Sequence, residues 1–292
     1  MDLINFEGLN CYYNCIVSVA NCIGVDYCTS FATLWSETEF KYDKNRKVYL
    51  TKRMLTNLDT LGAKFEMLEC FSVKQRENSL SMFQKGEFII IGMDVFYIPW
   101  NELYGIHHGP HYFIARNSLT EYLICFDPTY KQKGQLINFK EVVSHAFDIS
   151  RMYKVTEDPL QCEIKFHPIS EACEVLRTHS NIRHNLVEKV SNCSYGDQKN
   201  TIQLAKYVDT MISNRYLYKY YLQRKLFLYD KNNLFFNREF FLKWKAVKNG
   251  LYKAAIIKNN KEVIDEVCSY LSDLIDEETS MAEKMISSIY VN

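Results

Sequence analysis

Proline and glycine are scarce in this chain, 5 and 10 of 292 residues, which argues against a long Gly/Pro-rich linker or a disordered tract of that composition. Net charge is also missing, since 35 basic residues balance 35 acidic ones. That balance gives no overall pull toward nucleic acid or an anionic membrane, so neither is an expected partner. Long apolar runs are lacking too. The longest covers 88–98, contains Asp94 and is too short to span a bilayer. The start, Met1-Asp-Leu-Ile-Asn5, has no basic stretch leading into an apolar one. No secretory signal is visible, and a cytoplasmic location is expected. No internal repeat is found.

Cysteine is plentiful, with ten residues, but lacks a metal-binding pattern. The spacings of Cys11, Cys15, Cys22 and Cys28 match no zinc ribbon or common iron–sulfur run. In a reducing compartment these are expected to be free thiols, with no metal cofactor. Aromatics are rich, with 21 Tyr and 18 Phe, and 47% of residues are apolar, enough for a sizeable core.

Periodicity then sets out the elements. A helix is predicted from Cys11 and ended by Gly24. A short helix over 31–37 and a longer one over 51–61, stopped by Gly62, follow. A strand over 63–71 leads into a helix over 72–84, opened by Ser72. Residues 88–93 read as a central strand, followed by an aromatic loop over 94–101. Strands over 110–117 and 121–127 form a hairpin, closed by Pro128. A strand over 134–139, a helix over 140–146 and an edge strand over 152–155 complete the set. Beyond Glu157-Asp-Pro159 and His167-Pro168 the pattern is helical: 170–191, 198–228, 238–252 and 261–289. The expected organisation is a mixed α+β domain over 1–157 and an all-helical domain over 158–292.

One constellation carries chemistry. Cys11 stands at a helix N-terminus, where free N–H groups and the helix dipole favour a thiolate. A thiolate is both nucleophile and leaving group, which suits acyl transfer. Cys15 and Cys22 fall at helical spacing from it and are read as packing residues. A Cys nucleophile needs a base, and the base needs an orienting group. His111 opens one strand of the hairpin and Asp127 closes the other, so antiparallel pairing brings them to the same end of the sheet. Asn5, six residues before Cys11, offers an N–H₂ to a developing oxyanion; an ordinary turn role is the alternative. Tyr97 and Trp100 are candidates for excluding water and walling an acceptor pocket, with plain core packing as the alternative. The cluster His107-His108-Gly-Pro-His111 has no acidic ligand at matching spacing, and no metal is expected there.

The stretch Gly92-Met-Asp94-Val-Phe-Tyr97-Ile-Pro99-Trp100, then His111-Tyr-Phe-Ile-Ala and Cys125-Phe-Asp127-Pro128, resembles the papain-like cysteine peptidase fold. More narrowly, it is similar to the butirosin biosynthesis protein H, N-terminal (BtrH-like) family, over about residues 1–156. The resemblance implies an N-terminal helix packed on an antiparallel sheet, with Cys11 as nucleophile, His111 as base and Asp127 as orienting group. Asn5 stands where papain-like enzymes have an oxyanion-hole Gln, one methylene longer. Asp94 matches an acidic family position, either placing the amine substrate or capping the loop.

The implied activity is transfer of an acyl or aminoacyl group from the phosphopantetheine thioester of an acyl or peptidyl carrier protein to an amine, in natural-product assembly. No cofactor is implied beyond the pantetheine arm that brings the substrate. The mixed aromatic and basic stretch 216–225 is a candidate carrier-docking face, or simply core on one side and a solvated face on the other. Two other readings use the same residues: a cysteine peptidase or amidohydrolase, with water as acceptor, and a non-catalytic binding protein on a peptidase-like scaffold. The sequence carries no signal of oligomeric state.

Overall fold

A computed structural model describes residues 1–43, 48–84, 86–117, 121–155, 168–193, 198–225, 233–257 and 260–287. Packing divides the chain into two interleaved units. The first is Met1–Tyr27, Asp43–Val48 and Leu55–Cys162, and the second is Cys28–Tyr42, Tyr49–Met54 and Glu163–Asn292. The expected division at 157/158 assigned residues 28–42 and 49–54 to the first part, whereas they pack with the helices of the second.

The first unit is built on α1 (Cys11–Cys22) and an antiparallel sheet. Asn10 caps α1, its side-chain oxygen accepting from Tyr13 N at 3.0 Å. The helix stops where Gly24 takes φ +74°, with Gly24 N on Asn21 O at 3.2 Å and Val25 N on Ala20 O at 2.9 Å. That paired arrangement uses up carbonyls that a helix end otherwise leaves open. A two-stranded ribbon of β1 (Lys41–Asp43) and β2 (Val48–Leu50) precedes α2 (Lys52–Thr60).

The main sheet comprises β3 (Ala63–Met67), β4 (Phe88–Asp94), β5 (Pro110–Asn117), β6 (Tyr122–Asp127), β7 (Gln132–Asn138) and β8 (Ala146–Lys154). Its order is β3-β8-β4-β5-β6-β7, and neighbours run antiparallel throughout. On one face, Ile89, Ile91 and Met93 of β4 join Phe113, Ala115, Leu123 and Cys125. They bury against Leu80 of α3 (Val73–Ser81) and Val142 and Val143 of α4 (Phe139–His145). Side chains alternate across a strand, so Tyr112, next to Phe113, turns to the opposite face. There Tyr12 of α1 meets it edge-on, ring centres 4.9 Å apart. Each such buried aliphatic or aromatic side chain contributes about 1.5–3 kcal/mol relative to exposure.

Several expected elements differ. The 152–155 edge strand is the tail of β8, which lies inside the sheet between β3 and β4. Asp148 and Ser150 are buried in it, and these polar residues disguise a central strand. Asp148 is accommodated because Tyr112 Oη donates to its carboxylate at 3.2 Å. The expected helix over 31–37 is only a 3₁₀ turn, Thr29–Phe31. Further on, the backbone N–H of Ser36 donates to Glu171 at 2.6 Å, so a distant carboxylate takes a donor that a helix would have used.

The second unit holds α5 (Pro168–Ile182), a π-helical turn (Arg183–Val187), α6 (Glu188–Ser191), α7 (Gln198–Lys225), α8 (Arg238–Ile256) and α9 (Lys261–Ser287). The single helix expected over 170–191 is thus broken by the π turn. The ends of the helices expected to reach 228 and 289 lie outside the described residues. At its centre Glu278 is buried and receives Arg215 Nε at 2.7 Å, Trp35 Nε1 at 3.2 Å and Trp244 Nε1 at 3.2 Å, with His179 Nε2 at 3.1 Å. Burial opposes this charge, but Arg215 and His179 outweigh it and hold the carboxyl down at about 2. Among the described residues no helix is long and apolar enough to cross a membrane.

Candidate active site

Four strand ends converge at one edge of the sheet. The antiparallel order places the end of β4, the start of β5, the end of β6 and the start of β7 together. His111 and Asp127 stand there, with Nε2 of the imidazole 2.7 Å from Oδ2 of the carboxylate. A carboxylate only accepts, so Nε2 carries a proton and Nδ1 is left for another partner. Cys11 lies beside this ring, near enough to favour its protonated form both as a hydrogen-bond partner and by charge. The structure therefore brings the three sequence-selected residues together, the imidazole on the carboxylate at 2.7 Å and Cys11 close enough to shift the imidazole.

Their environments differ in a useful way. Cys11 is the first residue of α1 and partly exposed, whereas His111 is 5% exposed and Asp127 is wholly buried. Burial is the largest influence on His111 and disfavours its charged form. The hydrogen bonds and negative charges of Asp127 and Cys11 overcome it, pushing the imidazole up from 6.5 to about 9. Cys15 and Cys125 are fully buried. Burial raises both thiols well above their ordinary range, helped at Cys15 by the charge of Cys11 and then Asp127, and at Cys125 by Asp127. They remain protonated packing thiols.

Asp127 has three further donors. Trp100 Nε1 reaches its Oδ2 at 3.0 Å, and the backbone N–H groups of Thr129 and Tyr130 reach Oδ1 at 3.1 and 3.3 Å. The Asp-Pro turn that ends β6 thus folds back onto its own carboxylate, an Asx turn completed by Lys131 at φ +56°. Trp100 is half-buried, set edge-on to Phe113 at 5.1 Å, and its indole N–H is spent on Asp127. It orients the carboxylate, a role the sequence reading did not give it.

The remaining candidates are placed as follows. Asn5 is exposed, and its amide donates to Thr129 O at 3.1 Å, which ties the N-terminal segment to the turn after Asp127 and commits one of its two N–H groups. Asp94 caps the β4–β5 loop. Its Oδ1 accepts from Phe96 N at 3.1 Å and Gly109 N at 3.0 Å, and its Oδ2 meets His108 Nδ1 at 2.8 Å. Partial burial tends to raise its carboxyl, but those backbone donors and His108 hold it below the ordinary range. Tyr97 stacks on His145, ring centres 3.5 Å apart and planes 10° off parallel, so its ring is occupied by packing.

Tyr130 and Thr129 were not selected from sequence. Tyr130 lays its ring 5.2 Å from the His111 ring, and Thr129 also accepts from the Asn14 amide at 3.4 Å. Their only local signal was Pro128, which marks a turn without saying what the turn holds. Among the described residues no group of three or more His, Cys, Asp or Glu is placed to hold a metal ion. No protein-family model matches the chain, and a search of curated proteins finds no match.

Proposed function

We propose that this chain is a cysteine-dependent acyltransferase of papain-like fold. It takes an acyl group from the phosphopantetheine thioester of a carrier protein, through an acyl-Cys11 intermediate, to an amine. The observation that carries the reading is His111 on buried Asp127 at 2.7 Å, with Cys11 at a helix start close enough to shift the imidazole. The resemblance to the BtrH-like family supports the choice of a thioester donor and an amine acceptor, in natural-product assembly in the cytoplasm.

In the resting site His111 holds a proton beside the Cys11 sulfur. The sulfur attacks the thioester carbonyl, the C–S bond to pantetheine breaks, and the departing thiolate takes the His111 proton. Acylation removes the charge on Cys11, and with it two of the four influences that favour protonated His111. The imidazole is then readier to accept a proton. An amine nitrogen attacks the acyl-Cys11 carbonyl and the C–N bond forms. Its proton passes to His111, the C–S bond breaks, and the thiolate returns. Asp127 steadies the imidazolium in both steps. The Cys11 backbone N–H, at a helix start, and the second N–H of Asn5 are the candidate oxyanion donors.

Incubation with an acyl-loaded carrier protein, followed by mass spectrometry, tests the reading. The expected result is an acyl adduct on Cys11 that is absent in Cys11→Ala and is discharged by an amine. Peptide cleavage without thioester consumption would instead make the chain a peptidase or amidohydrolase. A folded protein that neither forms the adduct nor cleaves peptides would be a binding protein.

A further inference from the structure

Most of α1 is buried, yet one stripe of it is polar. Asn14 lies three residues after Cys11 and Ser18 four after that, so the three share a helix face. Asn14 is 1% exposed and Ser18 is wholly buried. Polar groups taken out of water need partners, and both find them in segments that frame the candidate site. Ser18 Oγ accepts from the Ile4 N–H at 2.8 Å. Asn14 Nδ2 donates to Thr129 Oγ1 at 3.4 Å. Thr129 joins this seam to the rest: its backbone N–H donates to Asp127 Oδ1 at 3.1 Å, and its carbonyl accepts from Asn5 Nδ2 at 3.1 Å. One threonine therefore touches the orienting carboxylate, the N-terminal segment and the helix that carries Cys11.

Stability alone does not account for Asn14. Its Oδ1 is buried and has no hydrogen-bond partner among the described residues, and a buried unpaired carbonyl lowers stability. A leucine of similar size would carry no such penalty. What the asparagine supplies is a directional bond at a fixed height on α1. An apolar helix face can slide on its neighbours, and a slide of one residue moves Cys11 by about 1.5 Å along the axis. A displacement of that order costs about a hundredfold in a reaction between positioned groups. We infer that Asn14 and Thr129 are positioning residues, which fix the register of α1 against the Asp127 turn and so keep the Cys11 sulfur beside His111. The inference rests on the reading of Cys11 as nucleophile and adds what holds it in place.

Alkylation of Cys11 by iodoacetamide, followed by mass spectrometry, reads this placement without a carrier or an amine. At about pH 6 a thiol reacts quickly only where a neighbouring imidazolium holds it as thiolate, and at about pH 10 that help is not needed. The ratio of the two rates therefore reports the pairing of Cys11 with His111. Asn14→Leu and Thr129→Val, made separately, are expected to lower that ratio at least about tenfold, and Thr129→Ser, which keeps the hydroxyl, to leave it within about twofold. The melting temperature of Asn14→Leu is expected to be no lower than that of the unchanged protein, which separates placement from stability. If one variant fails to fold, the other decides. A ratio unchanged in the folded variants, lost equally in Thr129→Ser, or lost only where the melting temperature also falls, overturns the inference and leaves the reading of Cys11 standing. Cys11 of the unchanged protein reacting at the lower pH no faster than an unassisted thiol overturns both.

Discussion

Asp127 in the sheet unit and Glu278 in the helical unit are built from much the same parts. Each carboxylate is buried, each faces an imidazole, and each accepts an indole N–H. The difference lies in what completes the shell. Glu278 has Arg215, a permanent cation with two nitrogens on the two carboxylate oxygens at 2.7 and 2.8 Å, and a second indole from Trp244. Its His179 turns its other nitrogen toward the hydroxyl of Thr279 at 3.1 Å. Asp127 has backbone N–H groups in place of an arginine, and its histidine lies beside Cys11. A buried carboxylate, histidine and tryptophan are therefore not enough to suggest catalysis. What distinguishes the sheet site is that its cation, His111, lies beside a partly exposed sulfur.

Three measurements put pressure on this contrast. The largest effect is expected from Asp127→Asn. It removes the carboxylate that orients His111, and formation of acyl-Cys11 should slow by roughly 10⁴-fold. A loss below about tenfold, read as the rate of adduct formation by mass spectrometry, would make Asp127 a structural residue like Glu278. Next comes Glu278→Gln, which leaves Arg215 buried without its counter-charge and should cost about 3–5 kcal/mol of stability in denaturant melts. A change near zero would mean that Arg215 and His179 are satisfied without it.

The smallest effect is the pH dependence, where the two sites should act in opposite directions. His111 has its pKa raised, so its contribution is full below 6.5 and fades as the pH rises through about 9. Glu278 has its pKa lowered, so its contribution is full above 4.5 and fades as the pH falls toward about 2. Melting temperature against pH should therefore lose its alkaline limb in Asp127→Asn and its acid limb in Glu278→Gln. Unchanged limbs in the matching variants would break the assignment.

The sheet site was legible in the sequence to the extent that it is local. Asn10 and Gly24 bracket α1 and put Cys11 at its start, and the antiparallel pairing of β5 and β6 brings His111 to Asp127. Trp100 was not readable in its role, because its bond to Asp127 links residues 27 apart that lie on separate elements with no shared period. β8 was misread as an edge because a buried Asp148 depends on a tyrosine two strands away across the sheet. The Glu278 shell was the least readable part. Trp35 and Glu278 are 243 positions apart, and nothing near either residue names the other. The same distance explains the false helix over 31–37, where Ser36 answers to Glu171 rather than to its neighbours.

That separation also bears on how the chain is made. Synthesis runs from the N-terminus, and early segments ordinarily settle first. Residues 28–42 emerge among the earliest, yet they belong with helices made much later. Trp35 and Ser36 must wait for Glu278 and Glu171. Meanwhile a stretch that ends up buried, Phe31-Ala-Thr-Leu34-Trp35, stands in the nascent chain without its cover. A ribosome stalled after the sheet unit would hold that stretch exposed, a natural handle for a chaperone that binds apolar segments.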